Sequence, residues 1–225
     1  MDKTLRICED GSHTLFSGKA GECYHSIHGA LNESLHIFIE AGFKSVSKKQ
    51  KIKELRILEI GFGTGLNALL TAMEADKEKI AVSYLGLEPF PIKAEIVKQL
   101  NYTDILTGSS NFIFSALHES EWEESLLIHP YFNFKKKQTG IMEVALPDNS
   151  FDLIYFDAFS PEAQPELWEQ EVFEKCYKVL APGGILVTYC AKGRVKRALK
   201  SAGFTVENLP GPKGKREITR ALKFI

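Results

Sequence analysis

Three glycines at alternating positions, Gly61, Gly63 and Gly65, are the residues of this sequence that point most directly to chemistry. They follow the apolar run 55–60, which predicts a buried strand, and precede leucines at helical spacing. Glycine lets a chain turn sharply and approach a ligand at distances that a Cβ would prevent, and amides at a helix N-terminus favour polar or anionic groups. An ordinary tight turn is the alternative. The pattern otherwise predicts a nucleotide-type cofactor site, but not a dinucleotide site of the form Gly-x-Gly-x-x-Gly, because position 66 is leucine.

Two carboxylates follow apolar strands and are candidates for ligand contacts. Ligands of open α/β sheets bind at the carboxyl ends of the strands. Glu88 ends the run 80–87 and can accept hydrogen bonds from the ribose hydroxyls of an adenosine, unless it is only a surface carboxylate. Asp157 follows the strongly apolar run 151–156, which predicts a carboxylate held in a cleft. The alternative for Asp157 is a residue that forms a turn, because prolines follow it.

The elements that must position these residues alternate between strands and helices. Strands are predicted at 55–60, 80–87, 151–156 and 185–189, and helices at 66–73, 92–100, 165–180 and 195–202, with a Pro-Gly-Gly turn at 182–184. This alternation predicts an α/β fold with a doubly wound, mostly parallel sheet. A terminal hairpin of 205–209 and 218–224 would add an antiparallel pair. Between 101 and 140 the pattern sets no boundaries, apart from a strand near Phe134 with exposed lysines.

The residues before this pattern predict an N-terminal extension. Residues 1–20 indicate a strand or hairpin, 22–41 a helix with apolar residues at helical spacing, and 43–54 a lysine-rich link. The simplest organisation is an extension at 1–50 followed by one α/β domain at 51–225.

Composition narrows the class of protein. The 225 residues suit one domain, and the apolar runs are too short to cross a bilayer. The start of the chain lacks the apolar stretch of a signal peptide, and the four cysteines form no Cys-x-x-Cys pair, so we expect a cytoplasmic protein with reduced thiols. No metal is expected, because His25, His28 and His36 do not converge and no cysteine completes a site.

The net charge of −1 hides an asymmetry along the chain. Residues 142–180 carry nine acidic and two basic residues, whereas 185–225 carry ten basic and two acidic ones. The basic segment indicates either a phosphate-binding face, with Arg194, Lys196, Arg197 and Lys200 on one helix, or a solvated surface balanced by its acidic neighbour.

The glycine turn, the ribose carboxylate and the Pro-Gly-Gly turn before a late strand together resemble the class I S-adenosylmethionine-dependent methyltransferases. A narrower resemblance is to the methyltransferase domain of the MnmC family, which makes 5-methylaminomethyl-2-thiouridine in tRNA. It is carried by Gly63-Thr-Gly-Leu-Asn67, Asp157-Ala-Phe-Ser-Pro, Pro165-Glu-Leu-Trp and Gly214-Lys-Arg-Glu-Ile. The N-terminal run Tyr24-His-Ser-Ile-His-Gly-Ala-Leu-Asn-Glu-Ser34 is also similar to the stand-alone forms.

This resemblance implies a Rossmann-like fold with a seven-stranded, mostly parallel sheet that carries a terminal antiparallel strand. It also implies S-adenosyl-L-methionine as cofactor and methylation of the amine of 5-aminomethyl-2-thiouridine at the tRNA wobble position. Two-domain members carry an FAD-dependent oxidase domain after the methyltransferase domain. Because this chain ends at Ile225, we expect a stand-alone form, with a separate oxidase as an open question.

Site roles follow from the same resemblance. Asp157 is implied to face the substrate amine, where it would orient the amine and stabilise the charge that develops on it. The residues implied to bind the cofactor are Glu59, Gly61, Phe62, Gly63, Thr64, Gly65, Asn67, Glu88 and Pro89. Phe159 and Tyr189 are candidates to stack on the wobble base, and Lys215, Arg216 and Glu217 are implied to border the active site. Trp168 fits core packing better, and residues 24–28 are implied to form a lid.

One departure concerns the adenine. Many class I methyltransferases have a Gly-Asp pair before the third strand of the α/β pattern, but this chain reads Gln138-Thr-Gly-Ile-Met-Glu143 in that region. Backbone groups alone would then hold the adenine, since Glu143 falls too late to replace the aspartate. An aminopropyl transferase of the polyamine-synthase type and a non-catalytic tRNA-binding module are the alternative functions.

Overall fold

The computed structural model describes residues 3–49 and 54–224, and its N-terminal part forms a small antiparallel sheet. The strands of this sheet are β1 (Lys3–Ile7), β2 (His13–Ser17) and β3 (Glu22–Cys23). β1 pairs with β2 and β2 with β3. The hairpin predicted for residues 1–20 is therefore confirmed.

The helix predicted over residues 22–41 begins only at Ala30. Gly29 has a φ of 143°, and a Cβ there would lie 2.5 Å from a carboxylate oxygen of Asp10, so the chain turns at this glycine. Helix α1 (Ala30–Ser34) continues through a π-helical segment (Leu35–Phe43) into α2 (Lys44–Lys49). The link predicted from residue 43 is wrong as far as Lys49, and residues 50–53 lie outside the described ranges.

The central sheet has eight strands in the described residues. They are β4 (Glu54–Ile60), β5 (Ala81–Leu87), β6 (Ser125–His129), β7 (Phe132–Lys137), β8 (Phe151–Phe156), β9 (Leu180–Thr188), β10 (Thr205–Pro210) and β11 (Glu217–Leu222). Their spatial order is β10-β11-β9-β8-β4-β5-β7-β6. The five strands from β9 to β7 in this order are parallel, while β11 and β6 run opposite to their neighbours. The predicted α/β class and terminal hairpin are confirmed, but the count of seven strands is wrong, because a hairpin within 101–140 adds the edge strand β6.

Helices cover both faces of this sheet. They are α3 (Leu66–Glu78), α4 (Ala94–Val97), α5 (Tyr102–Ile105), α6 (Ser110–Glu119), a 3₁₀ helix (Pro165–Trp168), α7 (Gln170–Val179) and α8 (Gly193–Ser201). The helix predicted at 92–100 is reduced to α4, and the one predicted at 165–180 is divided at Glu169, whose backbone is extended. The predicted 182–184 turn lies inside β9 as an irregularity in its pairing with β8. In the described ranges, no helix is long and apolar enough to cross a membrane.

The lysines predicted to be exposed on the strand near Phe134 are not exposed. Lys136 is 2% exposed, and its Nζ donates hydrogen bonds to the carbonyl oxygens of Leu117 and His118 at 2.9 and 2.7 Å. These carbonyls lie at the end of α6, where the last turn leaves acceptors free. The lysine is buried because it satisfies them.

Residues on the central strands alternate between two apolar layers. Leu55 and Ile57 of β4 pack into the layer that holds α3 and the π-helical segment, whereas Leu58 and Ile60 pack against α7 and α8. A strand buried on both faces places its functional residues at its end. The ends of β4, β5 and β8 therefore form a common edge.

Candidate active site

A cavity of about 720 Å³ opens at the carboxyl edge of the central sheet, beyond β4, β5 and β8. Of the residues predicted for the site, the wall includes Gly61, Phe62, Gly63, Thr64, Asn67, Glu88, Pro89, Asp157, Phe159, Tyr189 and Lys215. It does not include Glu59, Gly65, Arg216 or Glu217. The fold thus brings the glycine turn and both predicted strand-end carboxylates to one cavity.

The glycine turn connects β4 to α3 and needs glycine for different reasons along its length. At Gly61, φ is 90° and a Cβ would lie 2.5 Å from the carbonyl oxygen of Asp157. At Gly65, φ is 76° and a Cβ would meet the rings of Phe62 and His118 at 3.0 Å, so this glycine serves packing behind the cavity. Gly61 therefore allows the turn after β4 to contact the loop after β8.

Glu88 is buried at the end of β5 and is held by backbone amides. Its Oε2 accepts a hydrogen bond from Gly63 N at 2.9 Å, and its Oε1 accepts one from Phe90 N at 2.8 Å. A carboxylate oxygen can accept more than one hydrogen bond, so each still has acceptor capacity toward the cavity. The geometry orients a carboxylate beside the glycine turn, where it can accept from hydroxyl groups.

Asn67 joins the buried carboxyl group of Glu59 to the half-buried carboxyl group of Asp157. Its Nδ2 donates to Glu59 Oε1 at 2.9 Å and to Asp157 Oδ2 at 2.8 Å. Glu59 Oε2 and Asn67 Oδ1 are buried without a hydrogen-bond partner in the described structure. Asp157 Oδ1 accepts no hydrogen bond from the described residues and belongs to the cavity wall. The arrangement holds one oxygen of Asp157 and leaves the other free for a ligand.

Burial changes the proton affinity of both acids. Desolvation, and then the nearby carboxylate of Glu33, raise the pKa of Asp157 to about 7, against smaller lowering effects of Asn67 and Lys215. Desolvation also raises the pKa of Glu59 well above its ordinary value, and the charge of Asp157 adds to this. Near neutral pH, Asp157 can therefore gain or lose a proton, and Glu59 holds its proton more tightly than an ordinary glutamic acid does.

Comparison with known proteins bears on what this cavity serves. A family model described as S-adenosyl-L-methionine-dependent methyltransferase matches residues 133–224. MnmC2 from Aquifex aeolicus has a solved structure that superposes with a TM-score of 0.80 at 27% identity, over 98% of this chain and 70% of that one. This chain is a member of the S-adenosyl-L-methionine-dependent methyltransferase family. S-adenosyl-L-methionine is accordingly its cofactor, as the motifs predicted.

The narrower resemblance to MnmC is also confirmed for this methyltransferase. The tRNA 5-methylaminomethyl-2-thiouridine biosynthesis bifunctional protein MnmC of Ralstonia nicotianae is 30% identical over 97% of this chain. The match covers 34% of that protein, so the methyltransferase spans about a third of the curated relatives' length. A probable spermidine synthase from Corynebacterium glutamicum superposes with a TM-score of 0.53 at 18% identity, over 98% of this chain and 75% of that one, which shows a common fold only.

Aromatic side chains line the side of the methyltransferase cavity next to Asp157. Tyr189 Oη donates to the carbonyl oxygen of Ala158 at 2.9 Å, and the ring of Phe159 lies edge-on to that of Tyr24 at 4.9 Å. Trp168 is 4% exposed and its Nε1 donates to Phe159 O at 2.8 Å, so it supports the wall from the core as expected. Phe159 and Tyr189 therefore present their rings to the cavity, and hydrogen bonds from Tyr189 and Trp168 hold the loop that carries Phe159.

The predicted Lys-Arg-Glu run divides into three environments. Lys215 Nζ lies 3.0 Å from Glu33 Oε1 and 4.7 Å from the centre of the Tyr189 ring, at the cavity wall. Arg216 is exposed, and Glu217 lies 3.1 Å from Lys196 Nζ at the start of β11. Of the three, only Lys215 belongs to the wall of the cavity.

Other wall residues are absent from the sequence prediction. Glu33 and Glu22 lie within and just before the Tyr24 motif but were given no role in the site, and Glu22 accepts hydrogen bonds from the amide and hydroxyl of Ser160 at 2.5 and 2.6 Å. No local pattern marks them, since an acidic residue in a helix or edge strand is normally a surface residue. The expected lid contributes Tyr24 to the wall, on a loop between β3 and α1.

The region predicted to hold adenine also reaches the cavity. Gln138, Thr139, Gly140, Ile141 and Glu143 belong to its wall, and the Glu143 carboxylate folds back toward Gly140, where it would contact an added Cβ. This part of the wall offers backbone groups and one carboxylate. Among the residues described, no group of three or more His, Cys, Asp or Glu side chains is arranged to hold a metal ion.

Proposed function

We propose that this methyltransferase transfers a methyl group to the primary amine of 5-aminomethyl-2-thiouridine at the wobble position of tRNA, giving 5-methylaminomethyl-2-thiouridine. The names of the MnmC relatives support the substrate. The observation that carries the proposal is the free oxygen of Asp157, in a cavity wall beside two aromatic rings. A cytoplasmic location follows from a tRNA substrate.

The cavity fits the proposed cofactor. Glu88 would accept from the ribose hydroxyls with the capacity that its two backbone amides leave. The turn from Gly61 to Thr64 offers backbone groups where side chains would obstruct a ligand, with Pro89 opposite it in the wall. Glu59 and Gly65 lie behind this wall, so we assign them to support of Asn67 and of the turn. When bound, S-adenosyl-L-methionine supplies an electrophilic methyl group on a sulfonium.

Asp157 would receive a proton from the acceptor. An alkylammonium group has a pKa of roughly 10 and must become a neutral amine before its nitrogen can react. A carboxylate of ordinary pKa is a poor acceptor for that proton, but burial raises the pKa of Asp157 to about 7, which narrows the gap. We assign the proton to Oδ1, while Asn67 holds Oδ2 at 2.8 Å. Once this proton has passed on to water, the carboxylate stabilises the positive charge that the nitrogen gains as the methyl group is transferred.

The acceptor base would lie between the aromatic rings and Lys215. Phe159 and Tyr189 provide aromatic rings on which the base would stack. Lys215, paired with Glu33 across the cavity mouth, can donate to a base or phosphate without leaving an unpaired buried charge. Arg216 and Glu217 would border the site from outside the cavity wall. The amine itself has to come from a reaction that exposes a primary aminomethyl group, so a separate FAD-dependent oxidase is the partner we propose.

A direct test uses tRNA that carries 5-aminomethyl-2-thiouridine and mass spectrometry of its nucleosides. We expect the wild-type protein to add one methyl group to the wobble nucleoside. Asp157→Asn should lower the rate by about 10²–10⁴-fold while S-adenosyl-L-methionine still binds by calorimetry. Asp148→Asn, an exposed carboxylate at the other edge of β8, is the matched control.

A second arm offers putrescine with decarboxylated cofactor. Product in that arm and none with tRNA would identify an aminopropyl transferase and refute the proposal. Normal methyl transfer by Asp157→Asn would refute the role of this carboxylate and leave the substrate assignment intact.

A further inference from the structure

We propose that the N-terminal half of α8 and the loop from β10 to β11 form a rim that binds the phosphates of the tRNA while the wobble base enters the cavity. The rim comprises Lys192, Arg194, Arg197 and Arg216. This inference rests on the proposed function, because it names the surface that holds the same substrate.

The topology places this rim beside the reacting carboxylate. Strand β9 ends at Thr188, Tyr189 belongs to the cavity wall, and α8 begins at Gly193. Lys192 and Arg194 both contact the carboxylate of Glu162, in the loop that follows Asp157. The start of α8 is therefore attached to the loop that carries the proposed base.

A second contact brings the β10–β11 loop to the same place. Lys196 Nζ lies 3.1 Å from Glu217 Oε1, which positions the neighbouring Arg216 beside α8. The guanidinium of Arg197 turns back toward the helix start, where it would lie 3.3 Å from a Cβ at Gly193. Arg197 and Arg216 are the sequence neighbours of the two residues in this ion pair, and they add two further cations to the rim.

Positive charge on this rim exceeds the negative charge that faces it. Glu162 is shared by two cations, and the Lys196–Glu217 pair is neutral. Arg197 and Arg216 form no ion pair within residues 3–49 and 54–224 and are exposed. Unpaired guanidinium groups keep their donors available, and their planar geometry matches phosphate oxygens.

The character of the helix surface favours a nucleic acid over a lipid or an apolar protein face. The buried apolar residues of α8 are Val195 and Leu199, and its exposed positions carry glycine, arginine, lysine or serine. No large apolar side chain of α8 is exposed, whereas Phe112 and Leu127 are exposed elsewhere on the protein. A cationic surface without apolar anchors binds a polyanion mainly through charge.

Binding of modified tRNA at a series of salt concentrations tests the proposal. Each phosphate contact that is lost should reduce the slope of log K against log salt by about 0.7 to 0.9. For the double variant Arg197→Ala/Arg216→Ala we therefore expect a slope shallower by about 1.5 and binding at least ten-fold weaker in low salt. Charge reversal by Arg197→Glu should weaken binding more than Arg197→Ala does.

Matched controls remove cations at the opposite edge of the sheet. Lys77, in the last turn of α3, pairs with Glu74, and Lys178, in the last turn of α7, lies 3.6 Å from Asp148. Lys77→Ala/Lys178→Ala should leave the slope unchanged, and thermal unfolding verifies that every variant is folded.

Two results would overturn the inference, and only one of them would also refute the proposed function. Equal slopes for the rim and control variants, with normal tRNA methylation by the wild type, would reject this surface and leave the proposed function standing. Failure of the wild-type protein to bind or methylate any tRNA would reject both.

Discussion

The two hydrogen bonds of Asn67 make this residue a positioning group for Asp157, and replacing it with alanine tests that assignment. Its Nδ2 bonds to Asp157 Oδ2 at 2.8 Å and to Glu59 Oε1 at 2.9 Å, and the Asn67 bond lowers the pKa of Asp157 against the effect of burial. Asn67→Ala removes the donor, so the pKa of Asp157 should rise further. The resemblance to related methyltransferases instead implied that Asn67 binds the cofactor.

The size of the effect follows from the bond that is lost. A hydrogen bond to a charged group contributes about 1.5–3 kcal/mol, and about 1.36 kcal/mol corresponds to one pH unit. The pKa of Asp157 should therefore move from about 7 to between about 8 and 9. At pH 7 the ionised fraction would fall about 5- to 50-fold, and the methylation rate with it, while activity at high pH should approach that of the wild type.

The assay is kcat/KM for tRNA methylation across pH, with S-adenosyl-L-methionine binding measured by calorimetry. Thr71→Ala is the control, because Thr71 lies one turn further along α3, donates to Asn67 O at 2.6 Å and is not bonded to either carboxylate. The ascending limb of the pH profile of kcat/KM for Thr71→Ala should stay near pH 7. Asn67→Ser serves as a second variant if the alanine protein is too unstable.

An ascending limb that stays at the wild-type pH in Asn67→Ala would refute this reasoning. So would weakened cofactor binding with an unchanged profile, because that result would make Asn67 a cofactor ligand.

Three further predictions concern the cavity wall. Gly61→Ala should abolish cofactor binding by calorimetry, because its Cβ would lie 2.5 Å from the Asp157 carbonyl oxygen at a φ of 90°; an unchanged Kd would contradict the close approach. Glu88→Ala should raise the Kd for S-adenosyl-L-methionine about 10- to 100-fold, through loss of a charged acceptor contributing about 1.5–3 kcal/mol; a change below two-fold would remove Glu88 from the ribose site. Asp157→Asn should change stability with pH in urea unfolding. The folded carboxyl has a pKa of about 7 against an ordinary 3.8, so Asp157 causes no loss of stability below pH 4 and lowers the free energy of unfolding as the pH rises through 7. The full difference corresponds to about 4 kcal/mol, and solvent in the cavity reduces it, so the variant should gain about 2 kcal/mol at pH 8 and nothing at pH 4. Equal gains at both pH values would exclude the raised pKa as their cause.

Features set by neighbouring residues could be predicted well. The strands 55–60 and 151–156 and the glycine turn depend on local backbone geometry and on runs of apolar side chains, and the structure contains them. The helix predicted at 22–41 begins only after Gly29, because its apolar spacing continues through a turn that packs against Asp10, whose carboxylate accepts a hydrogen bond from Asn32 N at 3.1 Å. Asp10 is distant along the chain, so helical periodicity could not reveal that contact.

The class of enzyme, and the edge of the sheet that carries its candidate site, could be predicted from the sequence alone. The glycine turn and the strand-end carboxylates follow their strands directly in the sequence. Each parallel strand therefore places the residues after it at the carboxyl edge of the sheet, where ligands bind. The proton affinities of the carboxyl groups depend on the tertiary structure. Asn67 bonds to both Glu59 and Asp157, Glu33 reaches the cavity from α1, and Lys215 reaches it from the β10–β11 loop. The pKa of Asp157 therefore depends on residues from three other segments. Desolvation and charge act through space, and only the folded chain sets those distances.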